Sequence, residues 1–358
     1  MFRSKTLINN RKIRIGVIGC GRISSNHFNA ILENNIDYSL VAVCDVDPDV
    51  VKETSNRLGV QGYDNVEGML EKEELDIVAL CTPSGLHCDH TLLAARKKIH
   101  VVTEKPLATN FDDGRAMVKA ADDANIFLFV VKQNRYNKSL QLLKQAIDDQ
   151  RFGGINLVNI NVFWTRPQSY YDQGNGWRGT WEFDGGAFMN QASHYVDLLH
   201  WLIGPVECVQ AMTTTKRRIE AEDTGVLNVK WRNGALGSMN VTMLTYPKNI
   251  EGSITILGDR GSVKIGGLAL NEIQDWRFED QKQYDNDIDQ ANYTPNSVYG
   301  NGHSTYYERV AKVLRFGGVP DVDGREGLKT LEILSAAYLS ARDGYRIGLP
   351  LIHKKMSI

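Results

Sequence analysis

Long apolar runs are missing from this chain of 358 residues, and none approaches the ~20 residues that a membrane-spanning helix needs. Cysteine is scarce and odd in number. The five are scattered, with Cys20, Cys44 and Cys81 at or beside expected strand ends, which suits reduced thiols rather than a disulfide framework. An excess of one charge is also missing. A net charge of −2 gives no electrostatic reason to expect nucleic acid or an anionic membrane surface as a partner. No apolar signal region follows Met1-Phe2-Arg3-Ser4-Lys5, so a cytoplasmic location is expected. Internal repeats and low-complexity segments are absent too. What is present is an ordinary globular composition, 42% apolar and 23% charged, on a chain long enough for two domains.

The chain is organised around Lys12–Ser24. Ile13, Ile15, Val17 and Ile18 read as a buried parallel strand, and Gly19-Cys20-Gly21-Arg22-Ile23-Ser24 turns it into a helix expected to run to Leu32. Gly19 and Gly21 occupy the first two positions of a dinucleotide fingerprint, with Ser24 at the third. The first glycine permits a tight turn, and the second lets the backbone approach a pyrophosphate at the helix N-terminus. A second strand, Leu40–Cys44, ends in Asp45, about 20 residues on, where a carboxylate accepts from ribose hydroxyls and repels a 2′-phosphate. NAD is therefore the expected cofactor, rather than NADP. Asp47 is expected to N-cap the next helix, with Pro48 at its first position and Gly59 at its end.

Strand and helix signals alternate as far as Val131, as a doubly wound sheet requires. The carboxyl ends of its strands carry Gly19–Arg22, Asp45, Thr82–His87 and Glu104–Lys105, which one cleft should collect. Within Thr82–His87, Ser84 and His87 are expected as polar cleft residues. His87 and His90 have a spacing that can ligate zinc, but no third ligand is near, and no metal is expected. Beyond Gln133 a helix (Ser139–Asp149) precedes strand-like runs at 155–164, 206–214, 225–231, 236–244, 252–257 and 261–265, several joined by hairpin-type turns. This predicts an α+β domain with an open, mostly antiparallel sheet. The expected division is 1–132 and 133–358. Glu279–Asn292 reads as a mobile surface loop, and two late helices are expected near 305–314 and 326–341. Periodicity also predicts a helix over 186–202, with Asn190, His194 and Asp197 on one face. Spacing alone leaves His194 open between a buried core histidine and a catalytic one.

The combination of Gly19-x-Gly21-Arg22-Ile23, Thr103-Glu104-Lys105-Pro106-Leu107-Ala108 and Gly185-Gly186…Asn190…His194…Asp197 resembles the Gfo/Idh/MocA oxidoreductases over about 12–348. That resemblance implies an N-terminal NAD(P)-binding Rossmann domain and a C-terminal α+β domain whose sheet often builds the oligomer, a tetramer or dimer. It also implies that Lys105 and His194 are the catalytic pair and that the Lys105–Pro106 bond is cis. Gly19, Gly21, Arg22, Ile23, Asp45, Thr82, Ser84, His87, Glu104 and Lys105 are then the expected cofactor-binding residues. Many members have Asp where this chain has Asn190, an amide that cannot act as a base.

A narrower likeness rests on Lys132–Tyr136, Trp164–Pro167, Tyr170-Tyr171, Trp177–Trp181 and Asn190-Gln191 with His194. These resemble UDP-N-acetyl-2-amino-2-deoxyglucuronate 3-dehydrogenases, which make precursors of bacterial surface polysaccharides. Expected substrate contacts are Lys105, Arg166, Tyr171, Arg178, Asn190, Gln191 and His194, with Ser297–His303 adding others. Arginines can clamp a diphosphate or carboxylate, and aromatics can cover sugar and uracil faces; Trp164 or Trp181 can instead fill the core. The reaction so implied is NAD-dependent oxidation of the 3-hydroxyl of UDP-N-acetylglucosaminuronate to a 3-keto sugar. The alternatives are a dehydrogenase of a free sugar or polyol, a glycoside hydrolase that recycles its NAD, and a non-catalytic NAD-binding protein. Lysine titrates ordinarily near ~10.4, so partial burial and the charge of oxidised nicotinamide are what would make Lys105 a base. The competing assignment makes His194 the base, with Lys105 holding the hydroxyl.

Overall fold

The computed structural model describes residues 7–173, 176–294 and 302–351. The chain divides into two compact units, Met1–Val131 with His303–Leu328, and Lys132–Gly302 with Lys329–Ile358. Residues 303–328, read from sequence as part of the second domain, therefore pack with the first. Of Ser297–His303, residues 297–301 lie outside the described residues.

In the first unit, strands β1 (Ile13–Ile18), β2 (Tyr38–Cys44), β3 (Gln61–Tyr63), β4 (Ile77–Leu80), β5 (His100–Thr103) and β6 (Leu128–Val130) form a parallel sheet in the order β3-β2-β1-β4-β5-β6. Helices α1 (Ser24–Glu33), α2 (Pro48–Leu58), α3 (Val66–Lys72), α4 (His87–Arg96) and α5 (Phe111–Asp123) connect its strands. Ile13, Ile15, Val17 and all of Ile77–Leu80 are solvent-excluded, which is why these strands read as continuous apolar runs rather than alternating ones. Helix α2 has the expected ends: the Asp47 side chain accepts from the N–H groups of Asp49 and Val50, Pro48 follows, and Gly59 closes it in the left-handed region. The short elements β3 and α3 lay below the resolution of sequence periodicity.

The second unit begins with α6 (Lys138–Asp148) and continues through β7 (Ile155–Phe163), α7 (Gln168–Tyr171), α8 (Ser193–Ile203), β8 (Val206–Thr214), β9 (Thr224–Trp231), β10 (Leu236–Thr242), β11 (Glu251–Gly258), β12 (Gly261–Gly266), β13 (Glu272–Phe278) and α9 (Ile288–Ala291). Helix α10 (Gly302–Phe316) follows. His303 begins the part that packs with the first unit, where Arg315 pairs with Asp37 at 2.6 Å and Val322 O accepts from Val130 N–H beside β6. Helix α11 (Gly324–Asp343) and β14 (Ile347–Gly348) end the chain's regular structure. The second sheet is open, with order β13-β12-β11-β7-β10-β9-β8-β14. Its pairs are antiparallel except β7 with β10. No helix among the described residues is long and apolar enough to cross a membrane.

One expectation fails here, and the strand before it goes unread in the sequence. The polar tract at 279–292 is not a loop: it forms a short 3-10 turn (Gln283–Asp287) and α9. Strand β13, on the edge, was hidden by its many polar residues. Both are tied down by Arg151, whose side chain is 1% exposed. It binds Asp280 at 2.8 Å and both oxygens of Asp285 at 2.6 and 2.9 Å, and its guanidinium lies 4.0 Å from the Phe278 ring centroid. Arg151→Met should take the guanidinium from Asp280 and Asp285, leaving Asp285 only the Trp276 indole and Lys282 main-chain donors, and destabilise the protein by about 2–3 kcal/mol. Urea unfolding checks this, and Arg151→Lys should recover little of the loss because an ammonium cannot form the paired contact.

Candidate active site

The first unit gathers its candidate residues where the β1–α1 turn passes the end of β4. Gly19 has φ +91°, and a Cβ there would lie 2.7 Å from the carbonyl carbon of Cys81, so only glycine fits. At Gly21 a Cβ would meet nothing within 4 Å, leaving open space above the turn. Ser24 is buried, and its hydroxyl donates to Gly21 O at 2.6 Å. Helix α1 starts with no side-chain cap and no acid in its first turn. An uncapped helix N-terminus beneath open space fits a pyrophosphate, whose charge it would stabilise. Arg22 is exposed and Ile23 half-buried beside that turn.

Asp45 fixes this turn from the end of β2. Its Oδ2 accepts from Cys20 N–H at 2.7 Å and its Oδ1 from Asp47 N–H at 3.1 Å. Each carboxylate oxygen keeps a lone pair for a ribose hydroxyl. Burial first, and then the Asp45 charge, push the Cys20 thiol up to about 12, so it is not a nucleophile at neutral pH.

His87, expected as a polar cleft residue, lies between two loops. It is fully buried, with Nδ1 3.0 Å from Pro106 O and Nε2 3.1 Å from Thr82 O, bracing the loops that follow β4 and β5. His90 Nδ1 lies 3.2 Å from Thr82 Oγ1. Burial lowers the His90 pKa to about 4, so it stays neutral. Ser84 is buried at the start of the loop, and Thr82 is half-buried. Lys105 is half-buried, and its peptide bond to Pro106 is cis. Glu104 Oε2 accepts from Lys105 N–H at 3.0 Å.

In the second unit the expected helix over 186–202 is confined to α8, Ser193–Ile203. Residues before it run as turns because Gly185 sits at φ +76° and the 187–189 segment is held from outside. The Phe188 N–H donates to Glu222 Oε1 at 2.8 Å, Ala187 N–H to Glu222 O at 2.8 Å, and Met189 N–H to Tyr338 Oη at 3.0 Å. A Cβ on Gly186 would lie 1.8 Å from Glu222 Oε2, so this position is closed to any other residue. Asn190 therefore does not share a helix face with His194; its amide donates to Asp184 Oδ1 instead. Gln191 and His194 are buried, and His194 Nε2 lies 3.5 Å from Gln133 Nε2. Asp197 receives Arg135 through two bonds of 2.7 Å and Thr330 Oγ1 at 3.0 Å, with Lys132 Nζ at 3.5 Å.

Arg166 and Arg178 share the ring of Tyr170, their guanidinium carbons 5.4 and 4.7 Å from its centroid. Trp164 lies under Arg166 at 5.3 Å and Trp177 under Arg178 at 4.5 Å. Tyr171 and Trp164 are buried at 5% exposure, whereas Trp181 is 39% exposed, so Trp164 is the core tryptophan of that pair. The stacked guanidinium groups are oriented without a carboxylate partner in these contacts, which suits recognition of an anion.

Two family models match: the oxidoreductase family's NAD-binding Rossmann fold over residues 13–132, and its C-terminal alpha/beta domain over 144–349. The chain belongs to the Gfo/Idh/MocA oxidoreductase family. Among solved members, the WlbA dehydrogenase from Bordetella pertussis, crystallised with NADH and UDP-GlcNAcA, is 55% identical with a TM-score of 0.94, over 96% of this chain and 100% of that one. The WlbA enzyme from Chromobacterium violaceum, with the same ligands, is 58% identical with a TM-score of 0.93, over 97% and 99%. More distant is the D-apiose dehydrogenase of Paraburkholderia graminis, 25% identical over 97% of this chain and 92% of its own.

Glu222 and Tyr338 had no readable signal as site residues, since nothing in the local spacing of Ala221-Glu222-Asp223 points to a loop 35 residues away. Burial pushes the Glu222 carboxyl up to about 7, against hydrogen bonds from Phe188 and Tyr338 that favour the ionised form. A carboxyl raised by folding contributes stability that is fully present below its unfolded pKa and lost as pH rises through the folded one. Glu222→Gln cannot ionise, so it should lose less stability than the wild type between about pH 5 and pH 8.5, by on the order of 2–3 kcal/mol. Urea midpoints of both proteins at the two pH values check this; equal pH dependence would contradict it.

Proposed function

We propose that this chain oxidises the 3-hydroxyl of UDP-N-acetylglucosaminuronate to the 3-keto sugar. The observation that carries the reading is the likeness along almost the whole chain, at 55–58% identity, to two dehydrogenases solved with NADH and UDP-GlcNAcA. The turn at Gly19–Ser24, the uncapped start of α1 and Asp45 supply what NAD needs at its pyrophosphate and ribose. Bound NAD supplies the acceptor for the hydride that leaves C3. Lys105 takes the proton of the 3-hydroxyl, and His194 positions the sugar or relays that proton onward; a neutral amine or imidazole at hydrogen-bond distance does this work. Asn190, an amide, can hold a sugar hydroxyl but not remove its proton. Arg166 and Arg178 clamp the anionic groups, with Tyr170 fixing both guanidinium planes.

A panel of UDP-sugars, with and without the C6 carboxylate, tests the reading through NADH absorbance and detection of the keto product. UDP-N-acetylglucosaminuronate should be oxidised and UDP-N-acetylglucosamine should not, with NAD far better than NADP. Lys105→Met should bind NAD yet lose on the order of 10²–10⁴-fold in single-turnover rate, and His194→Asn should lose less. The reverse order would make His194 the base.

The same reading includes a homo-oligomer built through the second sheet. One face alternates inward with Val158, Ile160, Met239 and Val241 buried, while Leu157, Met212, Val226, Leu236 and Leu257 are 37–70% exposed on the other or at its rim. Leu157 is directly opposite both Leu236 and Leu257, with Asn159 opposite Ser238 and Asn161 opposite Asn240. An apolar strip with amide partners is a surface that a second copy can cover. Light scattering should give a dimer or tetramer for the wild type and smaller species for the Leu157→Asp, Leu236→Asp double variant.

A further inference from the structure

Glu104 carries a buried carboxylate at the end of β5, 5% exposed, in a place where three elements of the first unit meet. His27 of α1 places Nε2 at 3.0 Å from Glu104 Oε1. His303 of α10 places its own Nε2 at 3.7 Å from the same oxygen, and that nitrogen has no hydrogen-bond partner among the described residues. Glu104 Oε2 accepts from Lys105 N–H at 3.0 Å. Behind His27, Nδ1 lies 2.7 Å from Tyr307 Oη, on the same helix α10.

The direction of these bonds follows from burial. A nitrogen facing a carboxylate must carry a proton, so His27 has its hydrogen on Nε2. Desolvation lowers the His27 pKa, leaving the ring neutral, and Nδ1 then accepts from the Tyr307 hydroxyl. Burial would also raise the pKa of Glu104, but the hydrogen bond from His27 and the nearby His303 ring overcome it and hold the group well below the usual carboxylate range. Donors therefore run in one line, from Tyr307 through His27 to Glu104, whose far oxygen holds the main chain of Lys105.

We infer that Tyr307, His27, Glu104 and His303 form a clamp that fixes the Lys105 main chain against the dinucleotide turn, making Glu104 a positioning residue for hydride and proton transfer. The inference rests on the reading of Lys105 as the residue that meets the 3-hydroxyl. A lysine is long, so a small rotation of its peptide moves Nζ far, and a displacement of about 1 Å at a reacting group costs on the order of 10²-fold in rate. Neither histidine needs to touch substrate or cofactor for this. Their nitrogens and the Glu104 oxygen also lie within 4.8 Å of one another, which a zinc ion could exploit. The hydrogen-bond distances of 3.0 and 2.7 Å on the two sides of His27 favour the clamp.

The test uses the NAD-loaded enzyme and the variants Glu104→Gln, Tyr307→Phe, His303→Ala and His303→Gln. Glu104→Gln should lower kcat at least tenfold with KM for UDP-N-acetylglucosaminuronate within twofold. Exchange of the Lys105 amide hydrogen, resolved by mass spectrometry, should quicken about tenfold. Tyr307→Phe and His303→Ala should each cost about threefold in kcat, with His303→Gln recovering part of it. Adding His303→Ala to Glu104→Gln should change kcat by less than twofold, because the acceptor is already altered. Unchanged Lys105 exchange in Glu104→Gln would overturn the clamp, as would multiplying effects or a rise in KM with kcat intact. One equivalent of zinc in the purified wild type, lost in His303→Ala, would replace it with a metal site. If the wild type fails to reduce NAD with the uronate, the function reading falls, while amide exchange still decides the clamp.

Discussion

A carboxylate taken out of water must be given donors, and in this protein that demand shapes both units. Glu104 draws His27 and Lys105 N–H to the end of β5. Asp197 draws Arg135 and Thr330 onto α8, the helix that carries His194. Glu222 takes the Phe188 N–H and the Tyr338 hydroxyl and so sets the path of the chain before α8. Leaving any of these acids unpaired would cost far more than an exposed ion pair contributes. Each therefore acts as a fixed point from which nearby polar residues take their orientation.

The donors differ, and so do their consequences. Asp197 is held by full charges and stays ionised, its pKa pushed down by Arg135 and Lys132 against the effect of burial. Glu222 has only neutral donors, and burial wins, leaving its carboxyl near 7. Glu104 is equally buried yet stays ionised, because His27 and His303 beside it together outweigh burial. The number of donors and their charge decide the protonation state, rather than burial by itself.

Glycine plays the complementary part. Gly19 and Gly186 stand where a Cβ would collide, with Cys81 in one unit and with Glu222 in the other. Gly21 has space instead, and in a dinucleotide fold that space is where the ligand's phosphates come close to the backbone.

Much of the first unit was legible in the order of residues. Buried parallel strands need continuous apolar runs, a turn onto phosphates needs Gly19 and Gly21, and a helix start like that of α2 needs Asp47 and Pro48; each is a local requirement with a local signature. The alternation of the second sheet was legible for the same reason, and the motifs around Lys105 and His194 carried the family. What only the tertiary structure decided involves partners far apart in sequence. Periodicity could not reveal that Glu222 holds residues 187 and 188 out of a helix, since that contact spans 34 residues. Nor could it show that Arg151 turns a polar tract into ordered structure through Asp280 and Asp285, or that α10 returns to the first unit to bring His303 and Tyr307 to His27 and Glu104. Local pattern specifies the direction of a backbone and which side faces the core. The pairing of a buried charge depends on which donors the completed fold brings within 3 Å of it.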